Sequence, residues 1–175
     1  MSVEYLEILL PEINKKYIDL IIRHTLKITN DSVASSHFYD KLKMRDMEYS
    51  EVSSLVDYFS TPNTGNIFTK ELTIGETLTD VMIVMSFDDD FGDITLNFSE
   101  SELISDDVDT LKSKVIKIVN RLIEIQREYD ITSIRLGYES IIDNDNVLLS
   151  IVNGKATILN NFKGQLSHAT KLAYQ

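Results

Sequence analysis

The sequence contains no cysteine, which excludes a disulfide framework and a zinc site built on thiolates. Glycine is also scarce, with six residues in 175, and none of them forms a glycine-rich phosphate-binding loop. The three histidines, His24, His37 and His168, lie far apart, and none has a second ligand at the helical spacing of a zinc site. The sequence therefore predicts no catalytic residue, no metal site and no cofactor.

Long apolar runs are missing as well. No run approaches the ~20 residues that a membrane span requires, and the first residues, MSVEYLEILLPEINKK, lack the basic region and apolar run of a signal peptide. We therefore expect a cytoplasmic protein without a membrane partner. A pI near 4.6 argues against nucleic-acid binding, which needs clustered lysine and arginine. The length of 175 residues predicts one domain, residues 1–175.

Basic residues are absent from one long segment that is rich in acids. Between Glu71 and Asp109 there are twelve Asp and Glu, so this segment carries −12 while the whole chain carries −11. We hypothesise that these acids form a surface that binds a cationic partner, because complementary charge speeds association and selects partners. One candidate surface consists of Glu100, Glu102, Asp106, Asp107 and Asp109. The alternative surface consists of Asp88, Asp89, Asp90 and Asp93.

The first third, residues 1–60, is predicted to be mainly helical. Apolar residues between Leu6 and Ile28 recur mostly at spacings of three and four, which is typical of a helix. Pro11 is tolerated at a first helical turn, so a helix is predicted from Pro11 to between His24 and Lys27. The residues through Leu10 fit a helix or a strand. Two further helices are predicted at residues 33–42 and 48–59.

Residues 61–175 are predicted to form a sheet with one long helix. Strands are predicted at residues 67–74, 78–87, 93–98, 131–138, 147–152 and 155–159, with Asn153-Gly154 as a tight turn between the last two. Residues 78–87 are apolar at nearly every position, which favours a central strand covered on both faces. Together with residues 93–98 they should form an antiparallel hairpin. A short final helix or a surface segment is predicted after Phe162.

The long helix is predicted to start at Ser105-Asp106-Asp107 and to end near Tyr129. The expected fold class is α+β: a helical N-terminal third, then a mainly antiparallel sheet of five to six strands with the long helix packed on one face.

The run Asp88-Asp89-Asp90-Phe91-Gly92-Asp93 invites a calcium interpretation that its spacing does not support. An EF-hand loop needs glycine at position six and glutamate at position twelve. Counted from Asp88, these positions are Asp93 and Ser99. A solvated hairpin tip is the simpler interpretation. A small enzyme with a carboxylate or metal site near this tip is an alternative hypothesis for the protein, and a self-associating adaptor is another.

The segment from Ile83 to Phe98, IVMSFDDDFGDITLNF, resembles immunity proteins of bacterial polymorphic-toxin and contact-dependent inhibition systems. The resemblance lies in a short hairpin with an acidic, glycine-containing tip, an exit strand of alternating aliphatic residues that ends in phenylalanine, and a following helix. It implies a non-enzymatic cytosolic protein that binds and neutralises a cognate toxin, often a cationic nuclease. No functional residue is transferred by position.

Overall fold

The structure, a computed structural model, describes residues 4–138, 144–160 and 162. These residues form nine strands in one sheet, in which every neighbouring pair is antiparallel. The strands are β1 Tyr5–Asn14, β2 Val33–Asp40, β3 Arg45–Met47, β4 Asn63–Ile74, β5 Glu76–Phe87, β6 Phe91–Ser99, β7 Ser133–Tyr138, β8 Val147–Val152 and β9 Lys155–Ile158. Their spatial order is β3-β2-β4-β5-β6-β1-β7-β8-β9. The helices are α1 Leu55–Tyr58, α2 Val108–Glu128 and a π-helical segment Leu20–Thr25, with short 3₁₀ turns at Lys15–Tyr17, Tyr49–Glu51, Glu100–Glu102 and Asn144–Asn146.

The prediction of a helical N-terminal third is wrong. Residues 5–14 form β1, which lies between β6 and β7 with Leu6, Ile8 and Leu10 facing the core. Pro11 lies in a bulge: the pairing with β6 shifts between Leu10 and Ile13, and Glu12 has φ 53°. An inner strand tolerates proline at such a bulge, where the regular ladder is interrupted. The bulge also breaks the two-residue alternation that would have marked a strand.

The other two helices predicted in this third are wrong as well. Residues 33–40 form β2, and residues 48–59 contain only the turn at Tyr49–Glu51 and the four-residue α1. The predicted sheet of five to six strands is also wrong: the described residues form nine, because β1, β2 and β3 add to the six predicted after residue 61.

The elements predicted after residue 61 correspond to observed ones. β5 and β6 pair as the expected hairpin. Asp107 caps α2 by accepting a hydrogen bond from the Thr110 backbone N at 2.9 Å. Asn153 and Gly154 form the β8–β9 turn with φ 51° and 71°. The segment predicted after Phe162 lies outside the described residues.

One face of the sheet packs against α2 and forms the core. The helix contacts β4, β5, β7 and β8 through its buried side, which includes Leu111, Ile118 and Ile125. Below it, directly paired residues form a fully buried row across five strands: Ile83, Leu96, Ile8, Leu136 and Leu149. None of the helices in the described part of the chain is long and apolar enough to span a membrane.

The opposite face, here called the open face, carries no helix in the described residues. The pairing registers place Phe68, Met82, Asn97 and Glu7 side by side across β4, β5, β6 and β1. All four are only partly buried. The expectation that β5 is covered on both faces is therefore wrong for the described residues, because Met82 and Val84 stay partly exposed.

Candidate functional site

The nine acidic residues predicted to bind a partner lie at the two ends of β6. Asp88, Asp89 and Asp90 occupy the turn that precedes it, and Asp93 lies near its start; these four are called the tip. The residues that follow the strand are called the α2-entry cluster: Glu100, Glu102, Asp106, Asp107 and Asp109. At about 3.4 Å per residue, the stretch from Asp93 to Glu100 along β6 separates the nearest members of the two groups by roughly 24 Å. The structure therefore does not bring the nine carboxylates into one patch.

The tip is exposed, but its surroundings are partly neutralised. The Lys15 ammonium donates to the Asp89 carbonyl at 2.7 Å, and the Lys15 backbone N donates to the Asp90 carbonyl at 2.8 Å. Asp93 accepts a hydrogen bond from the Glu12 backbone N at 2.9 Å, so it supports the bulge of β1. In residues 4–138 and 144–160, no group of three or more His, Asp or Glu side chains could hold a metal ion. The metal-site hypothesis thus finds no ligand set at the tip.

Two carboxylates of the α2-entry cluster stabilise the fold. Glu102 accepts hydrogen bonds from the backbone N and the hydroxyl of Thr79, both at 2.9 Å. Glu102 thereby holds β5 at Thr79, beyond the part of β5 that pairs with β6. Asp107 accepts from the side chain and backbone of Thr110, and these bonds lower the pKa of Asp107. Charge-removing substitutions at these two positions would therefore affect the structure.

Glu100 connects the α2-entry cluster to the sheet. It accepts a hydrogen bond from the Tyr138 hydroxyl at 3.0 Å. Burial, together with this nearby carboxylate, raises the pKa of Tyr138 to about 12. The Glu100 backbone N donates to the Glu4 carbonyl at 2.9 Å, so β1 brings the acidic Glu4 to the same end of the sheet.

Asp106 and Asp109 are the members of the cluster that the fold leaves available. Both are exposed, and their carboxylates make no hydrogen bond or ion pair with another residue in the part of the chain that the structure describes. They lie at the start of α2, where a helix favours negative charge. A cationic partner could approach both without breaking an internal contact.

A groove on the open face adjoins this cluster. It has a volume of about 790 Å³, and its lining in the described residues includes Tyr5, Glu7, Phe68, Asp80, Met82 and Asn97. Ser99 completes that lining and directly precedes Glu100. We call this the open-face groove.

The open-face groove was not predicted, because the residues through Leu10 were left open between a helix and a strand. Tyr5, Glu7 and Leu9 alternate with Leu6, Ile8 and Leu10, so the signal was present before Pro11. Asp80 lay within the acidic segment but was not among the predicted site residues.

A second concavity, of about 460 Å³, lies beside the β2–β3 turn. Leu42 in this turn is 96% exposed, and it lies between Lys41 and Lys43. It is near the end of the sheet where β4 begins and β5 ends, away from the α2-entry cluster. The lining of this concavity contains Lys41 together with Asp40, Glu51 and Asp57, and the exposed Leu42 provides a control position away from the cluster.

Residues 4–154 match the family model described as PABL017 Cdi1I immunity protein. The chain belongs to this immunity protein family. The prediction made from the hairpin resemblance is therefore confirmed at the level of the family. A search of curated proteins finds no match.

The fold of this immunity protein resembles that of a chain in the crystal structure of the toxic C-terminal tip of CdiA from Pseudomonas aeruginosa in complex with immune protein. The TM-score is 0.65 at 13% sequence identity, and the similarity covers 85% of this chain and 95% of that chain. At this identity the comparison shows a shared fold, and it transfers no contact residue.

Proposed function

We propose that this immunity protein binds a cognate toxin domain in the cytoplasm and neutralises it by occupying its surface, without catalysing a reaction. Membership of the immunity protein family supports this function. The similar fold found in a structure of a toxin tip with its immune protein is consistent with it. We assign toxin binding to the α2-entry cluster, on the observation that Asp106 and Asp109 are exposed carboxylates without a role inside the described fold.

The α2-entry cluster is preferred over the tip for electrostatic reasons. At the tip, the Lys15 ammonium donates to the Asp89 carbonyl and Asp93 is used by the β1 bulge. At the cluster, the Lys114 ammonium donates to the Glu102 carbonyl at 2.8 Å, but Glu4 and the groove residue Asp80 extend the negative surface. A larger field of one sign attracts a cationic domain more strongly and raises the association rate.

Co-expression in bacteria tests this assignment. The cognate toxin domain would be produced in a strain that lacks this chain, and wild-type chain should restore growth. The variant D106N/D109N should lose most of this protection, because it removes two available carboxylates and keeps the Asp107 cap.

The charge-matched control for that experiment is D88N/D89N, which removes the same charge from the far end of β6. It should protect as well as wild type. Equal protection by both variants would reject the cluster as the binding surface, and no protection by wild type would reject the proposed function itself.

Neutralisation by binding is distinguishable from neutralisation by chemistry. Toxin recovered from the complex after denaturation and refolding should have its original mass and its full toxicity. A covalent change in the toxin, produced by less than equimolar chain, would instead identify an enzyme.

A further inference from the structure

We infer that the open-face groove is the seat for a basic, extended segment of the toxin, which lays the aliphatic stems of its lysine or arginine side chains on the groove floor and directs their charged ends to carboxylates. This inference rests on the proposed function, because it names the second half of the same binding surface. The residues that carry it lie on four adjacent strands: β4, β5, β6 and β1.

The composition of β5 indicates that its side chains on the open face are buried by a partner. Val81, Met82, Ile83, Val84 and Met85 are all apolar. Such a run is typical of a strand buried on both faces, whereas a strand with one wet face alternates with polar residues. In the described residues α2 covers one face, and Met82 and Val84 on the other are partly exposed. A partner on the open face would complete their burial.

Two aromatic side chains give the groove its shape. Phe68 on β4 and Tyr5 on β1 are separated by β5 and β6, hence by about 14 Å at the usual strand spacing. Between them lie Asn97 and Ser99, which are smaller. Tyr5 is 44% exposed. A width of this kind accepts one extended segment, and aromatic edges are common anchors in protein interfaces.

The charged residues in the lining define the chemistry of the occupant. They are Glu7 and Asp80, and both are carboxylates. The lining ends at Ser99, which directly precedes Glu100 of the α2-entry cluster. An apolar floor beside the Asp80 carboxylate, which makes no ion pair in the described residues, matches lysine and arginine, whose long apolar stems carry a charged end.

The fold holds Asp80 in place for this role. Asp80 has φ 50°, a left-handed conformation that aspartate and asparagine adopt more readily than most residues. Its neighbour Thr79 is fixed by both carboxylate oxygens of Glu102. Glu102, one of the predicted site residues, is thus a positioning residue: by holding Thr79 it fixes the place of Asp80 in the groove.

Affinity for the purified toxin domain tests the inference through two substitutions on the groove floor. Met82→Lys places a cation where the basic segment should lie, and Met82→Gln is a neutral change of similar size. We expect Met82→Lys to weaken binding by about 100-fold and Met82→Gln by about tenfold. Asp80→Asn keeps the backbone conformation and should weaken binding by about fivefold. Leu42→Ala, an apolar control at the other end of the sheet, should change it by less than about twofold.

Hydroxyl-radical footprinting supplies a readout that does not depend on a variant. Tyr5 and Met82 should be oxidised in the free monomer and protected in the complex. If Tyr5 and Met82 are not oxidised in the free monomer, the chain covers its own groove. If the chain forms a dimer that Met82→Lys dissociates, a second copy occupies the groove. Either result overturns the inference. Tight binding by wild type together with unchanged affinity of Met82→Lys overturns it while leaving the proposed function intact. Absence of any complex with wild type overturns both.

Discussion

Single carboxylates in the acidic segment differ in what they do for the folded protein. Glu102 and Asp107 accept hydrogen bonds that hold β5 and α2, whereas Asp106 and Asp109 face solvent. A buried amide shows the same internal use of polar atoms: Gln126 donates to the carbonyls of Thr132 and Ile151 and accepts from the Gly154 backbone N at 2.8 Å. The acidic segment is therefore partly structural, and only part of its charge is available to a partner.

The pair Glu100–Tyr138 gives a prediction about pH. Burial and the Glu100 carboxylate raise the pKa of Tyr138 from 10.0 to about 12 in the folded protein. The stability that this residue contributes is fully present below pH 10.0 and is lost as the pH rises toward about 12, because the unfolded chain ionises first. Glu100→Gln should lower the pKa of Tyr138 but leave it above 10.0, since burial remains. An NMR titration of the labelled tyrosine ring would measure this.

Glu4→Gln is the control for that titration. Glu4 acts on Tyr138 only through its charge and less strongly than Glu100, so its removal should lower the pKa of Tyr138 less than Glu100→Gln does. Equal shifts in the two variants would contradict the assigned hydrogen bond.

The contact of α2 with the β4–β5 turn depends on one glycine. Gly75 has φ 79°, and a Cβ at this position would lie 2.1 Å from the Lys117 carbonyl oxygen of α2. Gly75→Ala should therefore force the turn and the helix apart and lower the free energy of unfolding by roughly 2–4 kcal/mol. Chemical denaturation would measure the loss.

Gly154→Ala is the matched control, because Gly154 has a similar φ of 71° but its nearest neighbour is the flexible Arg127 side chain. Gly154→Ala should lower the free energy of unfolding by about 1 kcal/mol, which is the cost of the backbone conformation alone. Equal losses in the two variants would contradict the close packing of α2 on the turn.

Strands and helices of this chain were predictable where the local pattern agreed with the tertiary environment. α2 has a regular apolar stripe and a capping aspartate, and Asn153-Gly154 identifies its hairpin. The residues through Leu10 were left open between helix and strand, because the alternation of β1 is short and Pro11 and the bulge interrupt it. β2 was not predicted as a strand because Phe38 is its main core residue, so its sequence shows little apolar alternation.

At the scale of the whole molecule, the charge asymmetry was predictable, and the predicted β5–β6 hairpin already places the tip and the α2-entry cluster at opposite ends of β6. The proximity of Glu4, Glu7 and Asp80 was not predictable, because it follows from strand order. Pairing of β1 with both β6 and β7 joins the first residues to the C-terminal strands. We propose that residues 1–175 act as one domain, which a single cooperative unfolding transition would support.

The most direct test of the central claim is the salt dependence of the affinity between this immunity protein and its toxin domain. We would measure Kd for wild type, D106N/D109N and D88N/D89N from about 50 to about 500 mM salt, a range over which screening of exposed charges increases strongly. Wild type and D88N/D89N should bind tightly and lose affinity steeply with salt. D106N/D109N should bind more weakly and with a flatter dependence. Affinity that is insensitive to salt, or equal slopes for D106N/D109N and wild type, would contradict the claim that the acidic end of the sheet binds the toxin.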